Sequence, residues 1–171
     1  MYQTKSLNHH SKAEFYKQLD EQVKALIGGE RDAIANLANF SALLYHSMPD
    51  VNWVGFYLNH HNELVLGPFQ GKPACIRIAF GRGVCGTAAQ QRKIVLVKNV
   101  HEFPGHIPCD SASNSEIVLP MIVDNHLYGV LDIDSPLPER FDINDQAGLE
   151  RILKSLITKT DFSALRKLFK E

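Results

Sequence analysis

The chain has 171 residues, of which 44% are hydrophobic and 22% are charged. These values exclude a disordered chain, and the length predicts one domain that can bury a core without disulfide bonds or a structural metal. Eighteen basic and nineteen acidic side chains give a formal charge of −1. Such a balanced surface does not attract nucleic acid or anionic lipid, so neither is expected as a partner.

No segment has the length expected of a membrane span. The longest apolar runs, such as residues 94–97 and 117–123, are far shorter than the ~20 residues that a transmembrane helix needs. The N-terminal residues contain no apolar core that could act as a signal peptide. Three cysteines without an export signal favour a reducing compartment, so the sequence predicts a cytoplasmic protein without a membrane partner.

Amphipathic patterns predict two helices at the start of the chain. The first covers residues 12–27 and ends at Gly28, and the second covers about 31–48 and ends at Pro49. The turn 59–62 is short enough for an antiparallel hairpin. Segments rich in β-branched and aromatic residues predict strands at 51–58, 63–69 and 74–80.

The second half of the chain predicts more of the same sheet and a closing helix. Residues 81–91 have the pattern of a glycine loop followed by a short helix, and residues 99–115 form a long polar loop, a type of segment that is usually functional. A last helix begins near Asp142, whose side chain can cap it. Further strands are predicted at 94–97, 117–123 and 126–134. Together these elements predict an α+β fold with a mostly antiparallel sheet of about six strands.

The three cysteines lie in different settings. Cys75 falls in a predicted strand and Cys85 in the first turn of the short helix. Burial as a small hydrophobic side chain is the simplest interpretation of Cys75. Cys109 follows Pro108 in the long loop and precedes a polar run that offers little to bury it. An exposed thiol in a loop is typical of redox chemistry.

A bound metal or nucleotide is disfavoured. His101 and His106 lie near Cys109, but no C-x-x-C pair provides the usual zinc spacing. Residues 81–86 match G-x-G-x-x-G, yet they follow antiparallel strands, and the next strand ends at Lys98 without an acidic residue for a ribose hydroxyl. A glycine turn that allows close backbone approach is the favoured interpretation. No bound cofactor and no metal are therefore expected.

Three carboxylates form the other candidate site. Asp132 and Asp134 lie on one face of a predicted strand, and Glu116 begins the preceding strand. In an apolar pocket such groups can bind an ammonium group or retain a proton, although isolated acids usually mark a solvated sheet edge. Trp53 is a candidate wall of the same pocket, although a single tryptophan in an apolar strand is more often a core residue.

Five blocks of the sequence resemble the free methionine-(R)-sulfoxide reductases, enzymes built on a single GAF domain. The blocks cover residues 52–57, 66–71, 81–87, 109–120 and 129–135. The resemblance extends over about 13–160, which leaves 1–12 as an N-terminal extension and 161–171 as a tail, with a short helix as one expectation for the tail. It implies a GAF fold with N- and C-terminal helices packed on one face of the sheet. GAF domains commonly pair through their helices, so a homodimer is a candidate assembly.

The resemblance also implies a mechanism. A cysteine thiolate attacks the sulfoxide sulfur while an acid protonates the departing oxygen, and the resulting sulfenic acid condenses with a second cysteine to a disulfide that thioredoxin reduces. Carried over by position, the nucleophile, the resolving thiol and an additional thiol are Cys109, Cys75 and Cys85 respectively. The residues that would bind the substrate and supply the proton are Trp53, Glu116, Asp132 and Asp134.

Local chemistry favours a different nucleophile. A helix N-terminus lowers a thiol pKa, which selects Cys85, whereas Asp110 disfavours the thiolate of its neighbour Cys109. We follow the resemblance and expect Cys109 to attack, because static pKa arguments do not decide geometry. Two other classes of function remain: a GAF sensor that binds a small ligand without turnover, and a redox switch whose disulfide alters a partner.

Overall fold

The computed structural model describes residues 4, 7, 10–105 and 111–168. In this part of the chain the helices are α1 (Lys12–Ile27), α2 (Ala33–Ser47), α3 (Gly83–Gln91), α4 (Ile143–Lys159) and α5 (Ser163–Leu168). The strands are β1 (Trp53–His60), β2 (Glu63–Gly71), β3 (Arg77–Ala79), β4 (Val95–Val97), β5 (Ser115–Val123) and β6 (His126–Ser135). They form one sheet in the order β3-β2-β1-β6-β5-β4, and every neighbouring pair is antiparallel.

The period-two alternation of the strands creates two packed layers. On β1, Val54, Phe56 and Leu58 face the core formed by α1, α2 and α4. Trp53 and Tyr57 alternate with these three residues along β1. They therefore belong to the hydrophobic cluster on the other face of the sheet, which α3 covers. The predicted α+β fold, with its six strands and its N- and C-terminal helices on one face, is confirmed. None of the described helices is long and apolar enough to span a membrane.

Two predicted elements differ from the structure. The strand expected at 74–80 is shorter, and Cys75 lies in the loop before β3 rather than in a strand. Its carbonyl oxygen accepts a hydrogen bond from the Tyr57 hydroxyl at 3.1 Å, and the preceding Pro73 has no N–H to donate to a strand ladder. The expected loop 99–115 contains a 3₁₀ turn at Val100–Glu102 that buries Val100, and its last residue begins β5.

The start of α4 is fixed by a network that joins it to α1. Asp142 caps the helix, as predicted, by accepting hydrogen bonds from two backbone N–H groups of its first turn. Asp145, only 1% exposed, completes the capping box by accepting from the Asp142 N–H at 2.8 Å. Its carboxylate also receives the Tyr16 hydroxyl at 2.8 Å, Lys12 Nζ at 2.5 Å and an Arg140 nitrogen at 3.1 Å. This one buried charge therefore holds both helices and the chain that enters α4.

The substitution Asp145→Asn tests that role. It leaves Arg140 and the Tyr16 hydroxyl without their carboxylate and leaves Lys12 with Asp142 alone, and breaking a buried ion pair costs about 3–5 kcal/mol. Because the amide keeps part of the hydrogen bonding, we expect the free energy of unfolding in urea to fall by about 2–4 kcal/mol. Glu150→Gln, at an exposed position of α4, is the matched control and should stay within about 0.5 kcal/mol of wild type. Equal stability of the two variants would contradict the assignment.

Candidate active site

A row of three side chains crosses the middle of the sheet on the face covered by α3. In the strand register Trp53 of β1 lies opposite Asp134 of β6, and Asp134 lies opposite Glu116 of β5. Asp132 follows in the next row, opposite Gly55 and Val118. Since residues two apart share a face of a strand, the three carboxylates point to the same side of the sheet.

Helix α3 brings a cysteine onto this row. Cys85 is in its first turn and only 4% exposed, and its Sγ donates to Glu116 Oε1 at 3.8 Å. One ligand atom from each of Cys85, Glu116 and Asp132 lies within 4.8 Å of the other two. The structure therefore joins a thiol and two carboxyls, from three separate elements, in one buried cluster.

Burial controls the protonation of the two acids. Desolvation raises the pKa of Glu116 well above its usual range, and the nearby charges of Asp132 and Asp134 raise it further. Desolvation also raises the pKa of Asp132 to about 6, although hydrogen bonds from Cys85 and Glu116 oppose this. Two carboxyls this close do not both ionise readily, so their proximity and their burial together favour a proton held by the pair.

The same burial overturns the expectation that Cys85 has a low pKa. Desolvation and the charges of Asp132 and Glu116 raise the pKa of this thiol well above its usual value. A helix N-terminus contributes only a partial positive charge, which does not compensate for a dry site with two acids. Cys85 is a free thiol, whereas Cys75 is disulfide-bonded. Cys109, with the neighbouring His106 and Asp110, lies outside the described residues.

Aromatic rings form the wall beside the acids. The Trp53 ring stacks between Phe69, at a centroid distance of 5.2 Å, and Tyr57, at 5.8 Å. Gly55 makes this possible, because a Cβ at that position would overlap both Phe69 and the Trp53 ring. Trp53 Nε1 donates to the Lys72 carbonyl at 3.2 Å, so the wall also holds the loop that carries Cys75.

Comparison with known proteins decides the family. The GAF domain model matches residues 21–156. A relative from Escherichia coli (strain K12), described as a free methionine-R-sulfoxide reductase, is 52% identical over 155 residues, which are 89% of this chain and 94% of the relative. This chain belongs to the free methionine-(R)-sulfoxide reductase family.

Solved structures of the family have the same fold. The free methionine-R-sulfoxide reductase of Neisseria meningitidis, determined in complex with its substrate, superposes with a TM-score of 0.90 at 41% identity, over 98% of this chain and 99% of that one. The reductase of Staphylococcus aureus in its reduced form has a TM-score of 0.83 at 48% identity, over 92% and 99% of the two chains. The GAF domain match over residues 21–156 includes every described strand of the sheet that carries the cluster.

Sequence reasoning singled out the acids and Trp53 but missed two aromatic neighbours. Tyr57 is four residues after Trp53 on the same strand, so period-two alternation was a sufficient signal for it. Phe69 had no such signal, since its position depends on the pairing of β1 with β2. The histidine considered as a zinc ligand, His101, is exposed, and its Nε2 lies 3.0 Å from Asn114 Oδ1.

The raised pKa of Asp132 predicts how stability depends on pH. The unfolded chain releases this proton near pH 4 and the folded protein near pH 6, so wild-type stability falls as the pH rises between these values. Asp132→Asn cannot ionise. Since each pKa unit corresponds to about 1.4 kcal/mol, its unfolding free energy relative to wild type should rise by about 2–3 kcal/mol from pH 4 to pH 7.5.

Chemical unfolding at the two pH values measures this difference. The matched control is Asp124→Asn, an exposed turn residue at φ 47°, a conformation that asparagine tolerates. This control should show the same small difference from wild type at both pH values. A flat profile for Asp132→Asn would contradict the argument that burial raises the pKa of Asp132.

Proposed function

We propose that the chain reduces free L-methionine (R)-sulfoxide to L-methionine. The observation that carries the proposal is the buried pair Glu116 and Asp132, which retains a proton beside the aromatic wall and the loop of Cys75. The match to named reductases over most of both chains supports the same activity. A sulfoxide needs a thiol to attack its sulfur and an acid to protonate its oxygen. The buried pair offers the acid, and we assign the thiol to Cys109.

The carboxylates divide two tasks between them. Asp134, opposite Glu116 in the sheet, is half-buried, and together with Asp132 it offers negative charge to the α-ammonium group of the amino acid. Glu116 carries the proton that the departing oxygen requires, because its burial and its two acidic neighbours keep it protonated. The Trp53 ring faces the methyl-sulfinyl end. This assignment explains why the substrate is a free amino acid, whose ammonium group a peptide bond would remove.

The cysteines divide the redox steps. The Cys109 thiolate attacks the sulfoxide sulfur, methionine leaves, and the oxygen remains on Cys109 as a sulfenic acid. The Cys75 thiol then displaces this oxygen as water and forms the Cys75–Cys109 disulfide. A thioredoxin dithiol supplies two electrons and two protons and restores both thiols. The assignment is supported by Cys75 being disulfide-bonded while Cys85 is free, buried and raised in pKa, which makes Cys85 an additional thiol.

The same chemistry indicates which cofactor, reductant and cellular compartment the enzyme uses. Each electron that the cycle consumes enters through thiols, so no bound prosthetic group is required and thioredoxin is the external reductant. A reducing cytoplasm is the compartment that keeps such thiols available. Residues 13–160 form the GAF domain of this enzyme, with 1–12 as an extension and 161–171 as a tail, and the packed helices α1 and α4 are the surface for a homodimer.

Turnover of the racemic free sulfoxide tests the activity. With thioredoxin, thioredoxin reductase and NADPH, consumption should stop when half of the racemate is used, because one sulfur configuration places the oxygen toward Glu116. N-acetylmethionine sulfoxide is the matched control substrate. Its kcat/KM should be lower by about 100-fold or more, since the ammonium contact is lost and buried carboxylates remain unpaired. Absence of turnover would refute the reductase and leave the sensor and the redox switch.

A single-turnover experiment tests the cysteine roles. The variant that combines Cys75→Ser with Cys85→Ser keeps Cys109 as its one cysteine and should release about one methionine per chain before it stops. Mass spectrometry should then find one added oxygen on Cys109, trapped by a dimedone adduct. Cys109→Ser should release no methionine, whereas Cys85→Ser alone should continue through many cycles with thioredoxin. Methionine release by Cys109→Ser would contradict the assignment of the nucleophile.

A further inference from the structure

We propose that Cys85, Glu116 and Asp132 form a binding site for a thiophilic divalent cation, with Zn²⁺ as the physiological example, and that this ion excludes the substrate. Ion binding stands on the geometry alone. Its competition with methionine sulfoxide rests on the proposed function, because the same carboxylates would otherwise hold the substrate.

The spacing of the three ligand atoms suits a small cation. Zinc lies about 2.3 Å from a sulfur ligand and about 2.0–2.2 Å from an oxygen ligand, so a tetrahedral site keeps its ligand atoms roughly 3.3–3.7 Å apart. Cys85 Sγ lies 3.8 Å from Glu116 Oε1, and all three ligand atoms are within 4.8 Å of one another. Contraction of at most about 1.5 Å between any two ligand atoms closes such a site, and side-chain rotation supplies it.

An orphaned oxygen provides the second observation. Asp132 is 6% exposed, and its Oδ1 is buried without a hydrogen-bond partner in the part of the chain that the structure describes. A buried carboxylate oxygen that lacks a donor costs free energy, and an ion bound between Asp132, Glu116 and Cys85 would relieve that cost. The carboxyl groups of Glu116 and Asp132 already contact each other, so this oxygen marks an incomplete cluster rather than an isolated side chain.

The donor set selects the class of ion. One thiolate with two carboxylates favours Zn²⁺, and its probes Co²⁺ and Cd²⁺, over Mg²⁺ and Ca²⁺, which prefer oxygen ligands alone. Three protein ligands leave a fourth tetrahedral position for water, as in open zinc sites. Binding displaces the protons of the cluster, and the ion then occupies the place of the substrate ammonium group.

The short spacings that define sequence motifs for zinc do not reveal this site. Its ligands come from helix α3 and from strands β5 and β6, which only the fold brings together. Among the described residues the cluster contains no histidine, and His101, which the sequence pointed to, belongs to an exposed turn.

Cobalt absorption tests the site without any measurement of activity. The variant that combines Cys75→Ser with Cys109→Ser retains Cys85 as the one cysteine of the chain, so a thiolate-to-cobalt charge-transfer band in the near ultraviolet can arise only from Cys85. We expect a band that saturates at one Co²⁺ per chain, that stoichiometric Zn²⁺ removes, and that a large excess of Mg²⁺ or Ca²⁺ leaves unchanged. Cobalt held by surface histidines gives no such band.

Two matched variants on that background complete the test. Further replacement Cys85→Ser should abolish the band, and Glu116→Gln should weaken Co²⁺ binding by about tenfold or more, since even loss of a group that only supports a ligand costs 10–100-fold. No band, or a band that is unaffected by Glu116→Gln, would overturn the site.

Methionine sulfoxide added to the Co²⁺ complex tests the competition. If isothermal titration shows that the sulfoxide binds the metal-free variant, it should also displace the band, and binding without displacement would overturn the competition. If the sulfoxide binds neither the metal-free variant nor the metal-free wild-type chain, the proposed function fails, and the competition fails with it. The cobalt band would still decide whether the metal site exists.

Discussion

The desolvation of two carboxyls between the sheet and α3 is the constraint on which the site depends. Glu116 and Asp132 lie in a region where water cannot solvate their charges, so the folded protein keeps a proton there that the unfolded chain releases. The arrangement costs stability at neutral pH, and it raises the pKa of both acids above the usual range of carboxyls. The same dry surroundings raise the pKa of Cys85 and remove it as a ready nucleophile.

The fold maintains this cluster by dividing its secondary structure unequally between the two faces of the sheet. Helices α1, α2 and α4 form the larger core on one face, where the Asp145 network fixes the contact of α1 with α4. In the described part of the chain, the short helix α3 covers the opposite face. Stability is therefore concentrated on the face away from the carboxyl cluster, which lets the face under α3 accept buried charge.

Sequence patterns predicted the fold because the patterns are local. Helix caps such as Asp142 and the alternation that aligns Asp132 with Asp134 depend on neighbours within a few residues. The pairing of residues across the sheet depends on more than near neighbours in the sequence. If β5 and β6 paired without interruption from the turn at 124–125, Glu116 would lie opposite Ile133 and its side chain would point to the face away from α3. A bulge between Met121 and Ile122 shifts the register, so Glu116 lies opposite Asp134 instead.

Cys75 and Cys85 are two residues for which local sequence patterns give a wrong prediction. A helix N-terminus suggests a reactive thiol at Cys85, yet the groups that reverse its pKa come from β5 and β6, more than thirty residues later in the chain. The pattern of a strand at 74–80 places Cys75 in the sheet, yet the Tyr57 hydroxyl holds its carbonyl in a loop. In both cases a long-range contact outweighs the local signal.

The position of the indole makes the protein its own optical probe. The chain contains one tryptophan, and its ring lies in the aromatic stack beside the acids while its Nε1 holds the backbone at Lys72, three residues before Cys75. Light absorbed at the red edge of the aromatic band is therefore emitted from this aromatic stack alone. Fluorescence lifetime and anisotropy report on the stack and its acidic neighbours without a label and without interference from the rest of the molecule.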